Sequence, residues 1–326
     1  NVTIAEDGKK SIVVTTSNSE GKGQNTKITQ YIGYDTPKAA DNLKLDINQE
    51  TGDVNLTWDA VTAGVNDGFI GDIKYDVVRY PGETVVAKGV TATSATDKLN
   101  TRDLTAYAYG VKAYNDKKTS AETRTDYKLY GDAITPPYAE GFDSEYAMAY
   151  FTVINNNNDN STWTYYKNSD GSGEARYEYD TKNGGDDWLI TPPLKVEKGK
   201  IYTVKFKAKS YKSSFVERLE VKYGSTNTVE GMKNVILEPT DLPGSEFTEY
   251  AKEITASEDG TLYIGFHAVS DADKYYLQLD DISVGAGMST TAPDAVSELT
   301  AVPGDKGAKS ATISFTAPSK DIGGSA

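Results

Sequence analysis

The chain has 326 residues, enough for about two or three packed domains. It carries 34 basic and 48 acidic residues, so its formal net charge at pH 7 is −14. A surface of that sign repels a phosphate backbone, which argues against nucleic acid as a partner and makes divalent cations more plausible ones. Without cysteine and with one histidine, the chain has no thiol chemistry and few acid-base options, and paired carboxylates are the main catalytic option left.

Short runs of alternating apolar and polar residues recur along the chain, separated by Gly, Asn and Asp. Examples are KYDVVRY at 74–80, IYTVKFKA at 201–208 and TLYIGF at 261–266. This pattern is typical of half-buried strands and predicts an all-β protein built from tandem β-sandwiches. The longest uncharged apolar-rich run, 147–154, is about half the length of a membrane helix, so no membrane span is expected.

Two internal repeats organise the chain. Residues 12–37 resemble 109–136, with Val14 aligned to Val111, and residues 36–60 resemble 292–317, with Leu43 aligned to Leu299. The simplest interpretation is three related sandwiches of which only the middle one is complete. The predicted domains are the end of one sandwich at 1–35, a whole sandwich at 36–135, an unrelated domain at 136–287 and the start of another sandwich at 288–326. The chain would then be a piece of a longer tandem array, or its two terminal pieces would pair with each other or with a neighbouring chain.

The sandwich at 36–135 resembles a fibronectin type III domain. The resemblance rests on Trp58 in the second strand, on Leu104 and Tyr107 before the sixth strand, and on the run Val111, Ala113 and Asn115. It implies structural roles: the tryptophan fills the core and the tyrosine bonds back to the chain at a corner. The run GVNDGFIGDIKYDVVRY at 64–80 is similar to the version of this domain in surface proteins of gut Bacteroidetes.

Residues 136–287 have a signature of their own. AEGFDS opens the segment at 139–144, DDWLITPPLKV lies in its middle at 186–196, and YYLQLDDISV closes it at 275–284. The three motifs in this order resemble the jelly-roll modules called cleaved adhesin or choice-of-anchor J domains of secreted Bacteroidetes proteins, including the adhesin regions of gingipain-type proteases. The resemblance implies a jelly-roll β-sandwich in a secreted or cell-surface protein.

The closing motif contains two adjacent aspartates. The leucines at 277 and 279 alternate with polar residues, so Asp280 is expected on the polar face of the strand and Asp281 on the leucine face. Asp is depleted in strands, and a part-buried carboxylate needs a charged or hydrogen-bonding partner. The pair therefore either meets water at a strand end or binds a cation.

The resemblance favours a structural calcium ion, Ca²⁺, because modules of this kind commonly hold one between their first and last strands. It proposes Glu140 and Asp280 as ligands, and Asp186, Asp187 and Asp281 as further candidates. Calcium takes six to eight oxygen ligands with irregular geometry, which suits ligands from separate strand ends.

The loop VINNNNDNSTW at 153–163 is a second candidate for a cation. Family members often carry an Asp-rich loop followed by a tryptophan here, and this chain has Asn155, Asn157 and Asp159 at the alternating positions before Trp163. Alternating oxygen-bearing side chains are what a tight calcium loop uses. The alternative is that asparagine tolerates the conformations of a surface turn.

Exposed aromatic side chains and the single histidine are candidates for ligand contacts. Trp163 and Trp188 are expected in the core, whereas Tyr165 and Tyr166 should point to opposite faces of a strand, which leaves one of them exposed for a sugar ring. His267 should face away from the apolar side chains of 262–266 and could contact a ligand there, or be an ordinary surface residue.

These features predict a non-catalytic adhesion or carbohydrate-binding array whose partner is a glycan or a host or bacterial surface protein. No catalytic residue is assigned, because adjacent aspartates on one strand point apart and do not form the facing pair that a glycosidase needs. Two alternatives stay open: an accessory region of a secreted protease or glycosidase, and a structural spacer or filament component.

Overall fold

A computed structural model describes residues 3–242, 244–289, 293–305 and 307–321. The chain is nearly all β, which confirms the predicted fold class, and no described helix is long and apolar enough to cross a membrane. Two compact units follow one another, Asn1–Gly131 and Asp132–Ala326. The finer division into four domains, with boundaries after 35, 135 and 287, stays a prediction.

The first unit consists of a hairpin and a two-sheet sandwich. Its strands are β1 Gly8–Asn18, β2 Gly21–Ile32, β3 Lys44–Ile47, β4 Asp53–Thr57, β5 Lys74–Tyr80, β6 Thr84–Val90, β7 Ser94–Lys98, β8 Thr105–Tyr114, β9 Thr123–Arg124 and β10 Lys128–Tyr130. Among the described residues, β1 and β2 pair only with each other. A three-stranded sheet has the order β3-β4-β7, and a second sheet has the order β10-β8-β5-β6 with β9 beside β8. Trp58, just after β4, is buried between the sheets against Tyr75, as expected for a core tryptophan.

Asp35 joins the end of the hairpin to the sandwich. It is fully buried, and its carboxylate accepts hydrogen bonds from the backbone N–H groups of Thr36, Asn66 and Gly68 and from the Asn66 side chain. Burial opposes the charge, but these hydrogen bonds outweigh it and lower the pKa of Asp35. The GVNDG turn at 64–68 is therefore built around one carboxylate.

The second unit contains a larger two-sheet β-sandwich and a C-terminal hairpin. Its strands are β11 Tyr138–Glu140, β12 Thr152–Asn155, β13 Trp163–Lys167, β14 Gly173–Glu178, β15 Asp187–Ile190, β16 Leu194–Val196, β17 Lys200–Ser210, β18 Arg218–Gly224, β19 Asn234–Asp241, β20 Thr248–Thr255, β21 Gly260–Ala268, β22 Tyr276–Val284, β23 Met288–Ser289, β24 Ser297–Pro303 and β25 Ala311–Thr316. Short 3₁₀ helices span Glu145–Tyr150 and Val229–Gly231.

The two sheets of the larger sandwich are named the front and back sheets. The front sheet has the order β13-β14-β22-β17-β20 with β11 beside β22 and β23 beside β17, and the back sheet has the order β12-β15-β21-β18-β19 with β16 beside β21. Alternate residues of both sheets point inward and form one apolar core that includes Tyr177, Leu189, Phe206, Phe266 and Leu279.

The alternation expected for the closing strand fails at Asp281. The pairing of β22 with β17 shifts there, with Asp280 opposite Lys207 and Ser283 opposite Lys205, so Asp281 is the extra residue of a β-bulge. Its φ angle is 48°, and its carboxylate lies 2.8 Å from Nζ of Lys207 on the outer surface. The expectation that Asp281 lies on the leucine face is therefore wrong, because the bulge returns that face to Ile282, which is buried.

Candidate functional site

The outer surface of the front sheet carries a clamped arginine. Arg176 on β14 points away from the core, and its guanidinium carbon lies 3.2 Å from the centroid of the Tyr166 ring and 4.0 Å from that of Tyr276. Strand alternation places all three side chains on the same side, because their neighbours Ala175, Tyr177 and Leu277 belong to the core. Two cation–π contacts, one with each ring, restrict the orientation of the guanidinium.

A buried carboxylate completes this clamp. Glu174 Oε1 accepts hydrogen bonds from Arg176 at Nη2 (2.7 Å) and Nε (3.2 Å), and from Nε2 of Gln278 at 2.6 Å. Asn168 donates to the other carboxylate oxygen at 3.3 Å. Glu174, Arg176 and Gln278 are all buried although they lie on the outer side of the sheet, so the rings of Tyr166 and Tyr276 cover a satisfied polar network.

The clamp continues across the sheet as a row of polar residues. Gln278 is paired with Arg176 on one side and with Lys209 on the other, and Nζ of Lys209 lies 4.2 Å from the centroid of the Phe247 ring. The row therefore places a guanidinium, an amide and an ammonium group among aromatic rings.

An aromatic stack borders the clamp at one end of the sheet. Tyr275 is sandwiched between Tyr179 and Tyr211, with centroids 5.3 and 4.6 Å away and interplanar angles of 13° in both pairs, and Phe215 packs against it. Tyr275 has a φ angle of 87°, a strained conformation for a bulky residue that the surrounding structure must hold in place. Tyr276 connects the stack to Arg176.

We name this surface the front face, defined by Tyr166, Glu174, Arg176, Gln278, Lys209 and the Tyr211–Tyr275–Tyr276 cluster. Aromatic faces offer flat apolar contact, and neighbouring polar groups fix the orientation of a ligand. Sugar rings need both, since they have apolar C–H patches and hydroxyl rims.

The predicted ligands Glu140 and Asp280 have separate surroundings. Glu140 Oε1 accepts a hydrogen bond from the Phe142 N–H at 2.7 Å, and Asp280 Oδ1 accepts one from the Asp281 N–H at 2.7 Å. Burial raises the pKa of Glu140 and raises that of Asp280 to about 6. Within the described ranges, no group of three or more His, Asp or Glu side chains is placed to hold a metal ion, so calcium at these residues stays a prediction.

The asparagine loop is closed largely by its own amide groups. Nδ2 of Asn155 donates to the carbonyl oxygens of Asp159 and Ser161, and Nδ2 of Asn157 donates to Oδ2 of Asp159 and to the carbonyl of Gly184. Asp159 Oδ1 accepts from the N–H of Ser161. These contacts are those of a tight turn held against its neighbouring loop.

Two buried oxygens at the base of this loop have no hydrogen-bond partner among the residues that the structure describes. Asn155 and Asp187 are opposite each other on β12 and β15, and Oδ1 of each is buried and unpartnered. Asp187 is fully buried, and burial, reinforced by the charges of Asp159 and Asp186, raises its pKa to about 6. The hydroxyl of Thr162 lies beside the Asp187 carboxyl without a hydrogen bond of standard geometry. Such orphaned oxygens are unusual in native proteins, and a bound cation would account for them.

The neighbouring Asp186 points the other way, to the outer side of the back sheet. His267 lies between two carboxylates there, with Nε2 2.8 Å from Asp186 Oδ1 and Nδ1 2.9 Å from Glu220 Oε2, and its ring stacks on Trp188 at 3.9 Å. Burial opposes ionisation of Asp186, but hydrogen bonds from Asn156 and His267 outweigh it and lower its pKa. Both ring nitrogens of His267 thus have partners inside the protein, and its role as a ligand contact stays a prediction.

Both tryptophans are buried, and alternation correctly separates the two tyrosines. Trp163 is buried in the main core, and Trp188 is buried in a smaller apolar cluster on the outer side of the back sheet. Tyr165 packs against the main core, whereas Tyr166 is 39% exposed on the front face.

Sequence reasoning missed most of the front face. Arg176, Glu174 and Gln278 were not singled out, although the alternation in GEARYE at 173–178 and YYLQL at 275–279 marks the polar side of each strand. Only the order of strands β13, β14 and β22 brings these segments together.

No protein-family model matches the chain, and no curated protein matches it. Several solved structures are similar in fold. The K1 cleaved adhesin domain of Lys-gingipain from Porphyromonas gingivalis is 17% identical with a TM-score of 0.40, and the alignment covers 46% of this chain and 98% of that one. The K2 domain of Lys-gingipain is 19% identical with a TM-score of 0.37 and coverages of 46% and 99%. The CBM22-1 xylan-binding domain from Paenibacillus barcinonensis is 8% identical with a TM-score of 0.35 and coverages of 49% and 99%.

Proposed function

We propose that this chain is a non-catalytic binding region of a secreted or cell-surface protein and that its front face binds a glycan. The observation that carries the proposal is the Arg176 side chain held between Tyr166 and Tyr276 over a buried Glu174. A polar network that is fully satisfied and rigid, with aromatic edges exposed around it, is a preorganised surface for a polar ligand.

The charges on this face favour a neutral glycan over a polyanionic one. Glu174 pairs with Arg176 on the front face, and Asp281 pairs with Lys207 nearby on the outer side of the same sheet, so two cations there are already neutralised. The remaining contacts that a ligand can make are hydrogen bonds and ring stacking.

The test is binding of the whole chain to an array of neutral and acidic polysaccharides, followed by calorimetry with the best ligand. Tyr166→Ala and Tyr276→Ala should each weaken binding about 3- to 10-fold, since loss of one stacked aromatic contact is worth roughly 0.5–1.5 kcal/mol. Tyr127→Ala is the control, because that tyrosine is similarly exposed (36%) but lies in the first unit. Absence of binding to every neutral glycan, or binding that neither tyrosine variant weakens, would contradict the proposal.

We also infer a structural calcium ion in the second unit. Of the two places predicted, the base of the asparagine loop has the stronger support, because Asn155 and Asp187 present unpartnered buried oxygens there beside Asp159. Those residues fit a cation that prefers carboxylate and amide oxygens. Glu140 and Asp280, with Asp281 as a neighbour, are the second proposed place.

For the domains, we infer a fibronectin type III-like sandwich at 36–135 and a choice-of-anchor J or cleaved adhesin-like domain at 136–287. The three-stranded sheet facing the β8 sheet around Trp58 supports the first assignment. The larger two-sheet sandwich, in which β11 pairs with β22, supports the second assignment.

A further inference from the structure

The two terminal hairpins expose rows of apolar side chains. On β1 and β2 the exposed residues include Val13, Val14 and Ile28, and on β24 and β25 they include Leu299, Val302, Ile313 and Phe315. In the described part of the chain, each hairpin pairs only with itself. A two-stranded hairpin is marginally stable in water unless something covers its apolar face.

The first hairpin repeats the pairing of β8 with β9 in the complete sandwich. Val14 is opposite Thr26, just as the aligned Val111 is opposite Thr123. Val111 is fully buried in the sandwich core, whereas Val14 is 59% exposed. The Val14 face of the first hairpin therefore has the residue pattern of a core face, but its side chains are exposed.

The last hairpin repeats the pairing of β3 with β4. Ala301 is opposite Ile313, just as Leu45 is opposite Leu56, and Phe315 takes the position of Trp58. Leu45, Leu56 and Trp58 are buried, but Ile313 is 55% exposed.

Inside the sandwich, these two kinds of hairpin pack against each other. Leu56 and Trp58 belong to the same core cluster as Val111. The charges also complement each other: residues 8–32 contain four lysines and one glutamate, whereas 293–321 contain four acidic residues and three lysines. Within the sandwich, a hairpin like β24–β25 therefore covers the apolar face of a hairpin like β1–β2, and the reverse also holds.

We propose that the β24–β25 hairpin of one copy packs its Ile313–Phe315 face against the Val14 face of the β1–β2 hairpin of a second copy. The contact joins two different surfaces, so it is head-to-tail and can continue from copy to copy. It reproduces between chains the packing that β3–β4 and β8–β9 have within one chain.

The test is sedimentation velocity of the whole chain from about 1 to about 300 µM, a range that brackets the weak affinity expected of a small interface. Wild type should shift from monomer to larger species as the concentration rises. Val14→Lys alone and Ile313→Lys alone should each stay monomeric, while an equimolar mixture of the two should form a dimer and nothing larger. That mixture retains one intact face of each kind, so only a head-to-tail contact restores association.

Matched controls lie on the opposite side of each hairpin. Val13→Lys and Val302→Lys place the same charge at residues that are 50% and 61% exposed, and both should associate like wild type. Monomeric wild type throughout the range, equal effects of test and control variants, or no dimer in the mixture would each overturn the proposal. Circular dichroism of every variant distinguishes loss of the interface from loss of the fold. Val14→Thr and Ile313→Thr are milder substitutions at the same two positions, for use if a lysine variant does not fold.

Discussion

The guanidinium of Arg176 lies over the ring of Tyr166, with its central carbon 3.2 Å from the ring centroid. The contact is possible because Glu174, on the same strand and the same side, holds the guanidinium by two hydrogen bonds. The network therefore has a buried part, the Glu174–Arg176 pair, which we expect to support the fold, and an outer part, the aromatic rings, which form the proposed binding surface.

Removing the carboxylate from this network should destabilise the second unit. Glu174→Gln leaves the buried guanidinium without its ion pair, and breaking a buried pair typically costs about 3–5 kcal/mol. Urea denaturation followed by tryptophan fluorescence measures the change. The control is Asp241→Asn, which breaks the exposed pair with Arg218 and should leave the urea midpoint nearly unchanged. Equal effects of the two substitutions would show that the Glu174 pair does not support the fold.

Calcium should raise the melting temperature of the second unit, and a chelator should lower it. At a calcium concentration one hundred times Kd, binding adds about 2.7 kcal/mol to the free energy of unfolding. Asp187→Asn should abolish the calcium-dependent shift in calorimetry, and Asp280→Asn should retain it. The reverse pattern would move the site to Glu140 and Asp280, and no shift in wild type would exclude a structural calcium ion at either place.

Glu217 should make the second unit less stable as pH rises. It is fully buried, and burial raises its pKa to about 7 from an ordinary 4.5, although Ser270 donates a hydrogen bond to Oε2. The folded state therefore holds a proton that the unfolded state releases, so stability is greatest below pH 4.5 and falls as pH rises through 7. The shift corresponds to about 3 kcal/mol.

Glu217→Gln should remove this dependence, because the amide is neutral at every pH and keeps a hydrogen-bonding oxygen. The measurement is the difference in free energy of unfolding between variant and wild type at pH 5 and at pH 8. We expect the variant to gain stability relative to wild type at pH 8. A difference that is the same at both pH values would contradict the pKa assigned to Glu217.

In the first unit, Asp35→Ala should unfold the turn at 64–68. The substitution removes the acceptor of the part-buried hydrogen bonds from the N–H groups of Asn66 and Gly68, at a cost of about 1 kcal/mol for each lost bond. Calorimetry of the whole chain should show a lower transition for the first unit and an unchanged one for the second. Asp67→Asn, in the same turn, is the control, because asparagine tolerates the φ angle of 56° at that position; a similar loss there would assign the effect to the turn sequence and not to the Asp35 carboxylate.

The prediction of strands succeeded because apolar alternation is a local property. It separated Tyr165 from Tyr166, since adjacent residues of a strand must point to opposite faces. It failed at Asp281, where a bulge inserts one residue, because pairing with β17 and not the sequence of β22 decides where a bulge forms.

The amino-acid sequence by itself determined the all-β class, the internal repeats and the face on which most side chains lie, because each follows from spacing along the chain. Only the tertiary structure decided which faces meet. It brought Tyr166, Arg176 and Tyr276 together from three strands, and it turned Asp186 outward to His267 and Asp187 inward to Asn155. Strand order and burial set those contacts, and both depend on residues far apart in the chain.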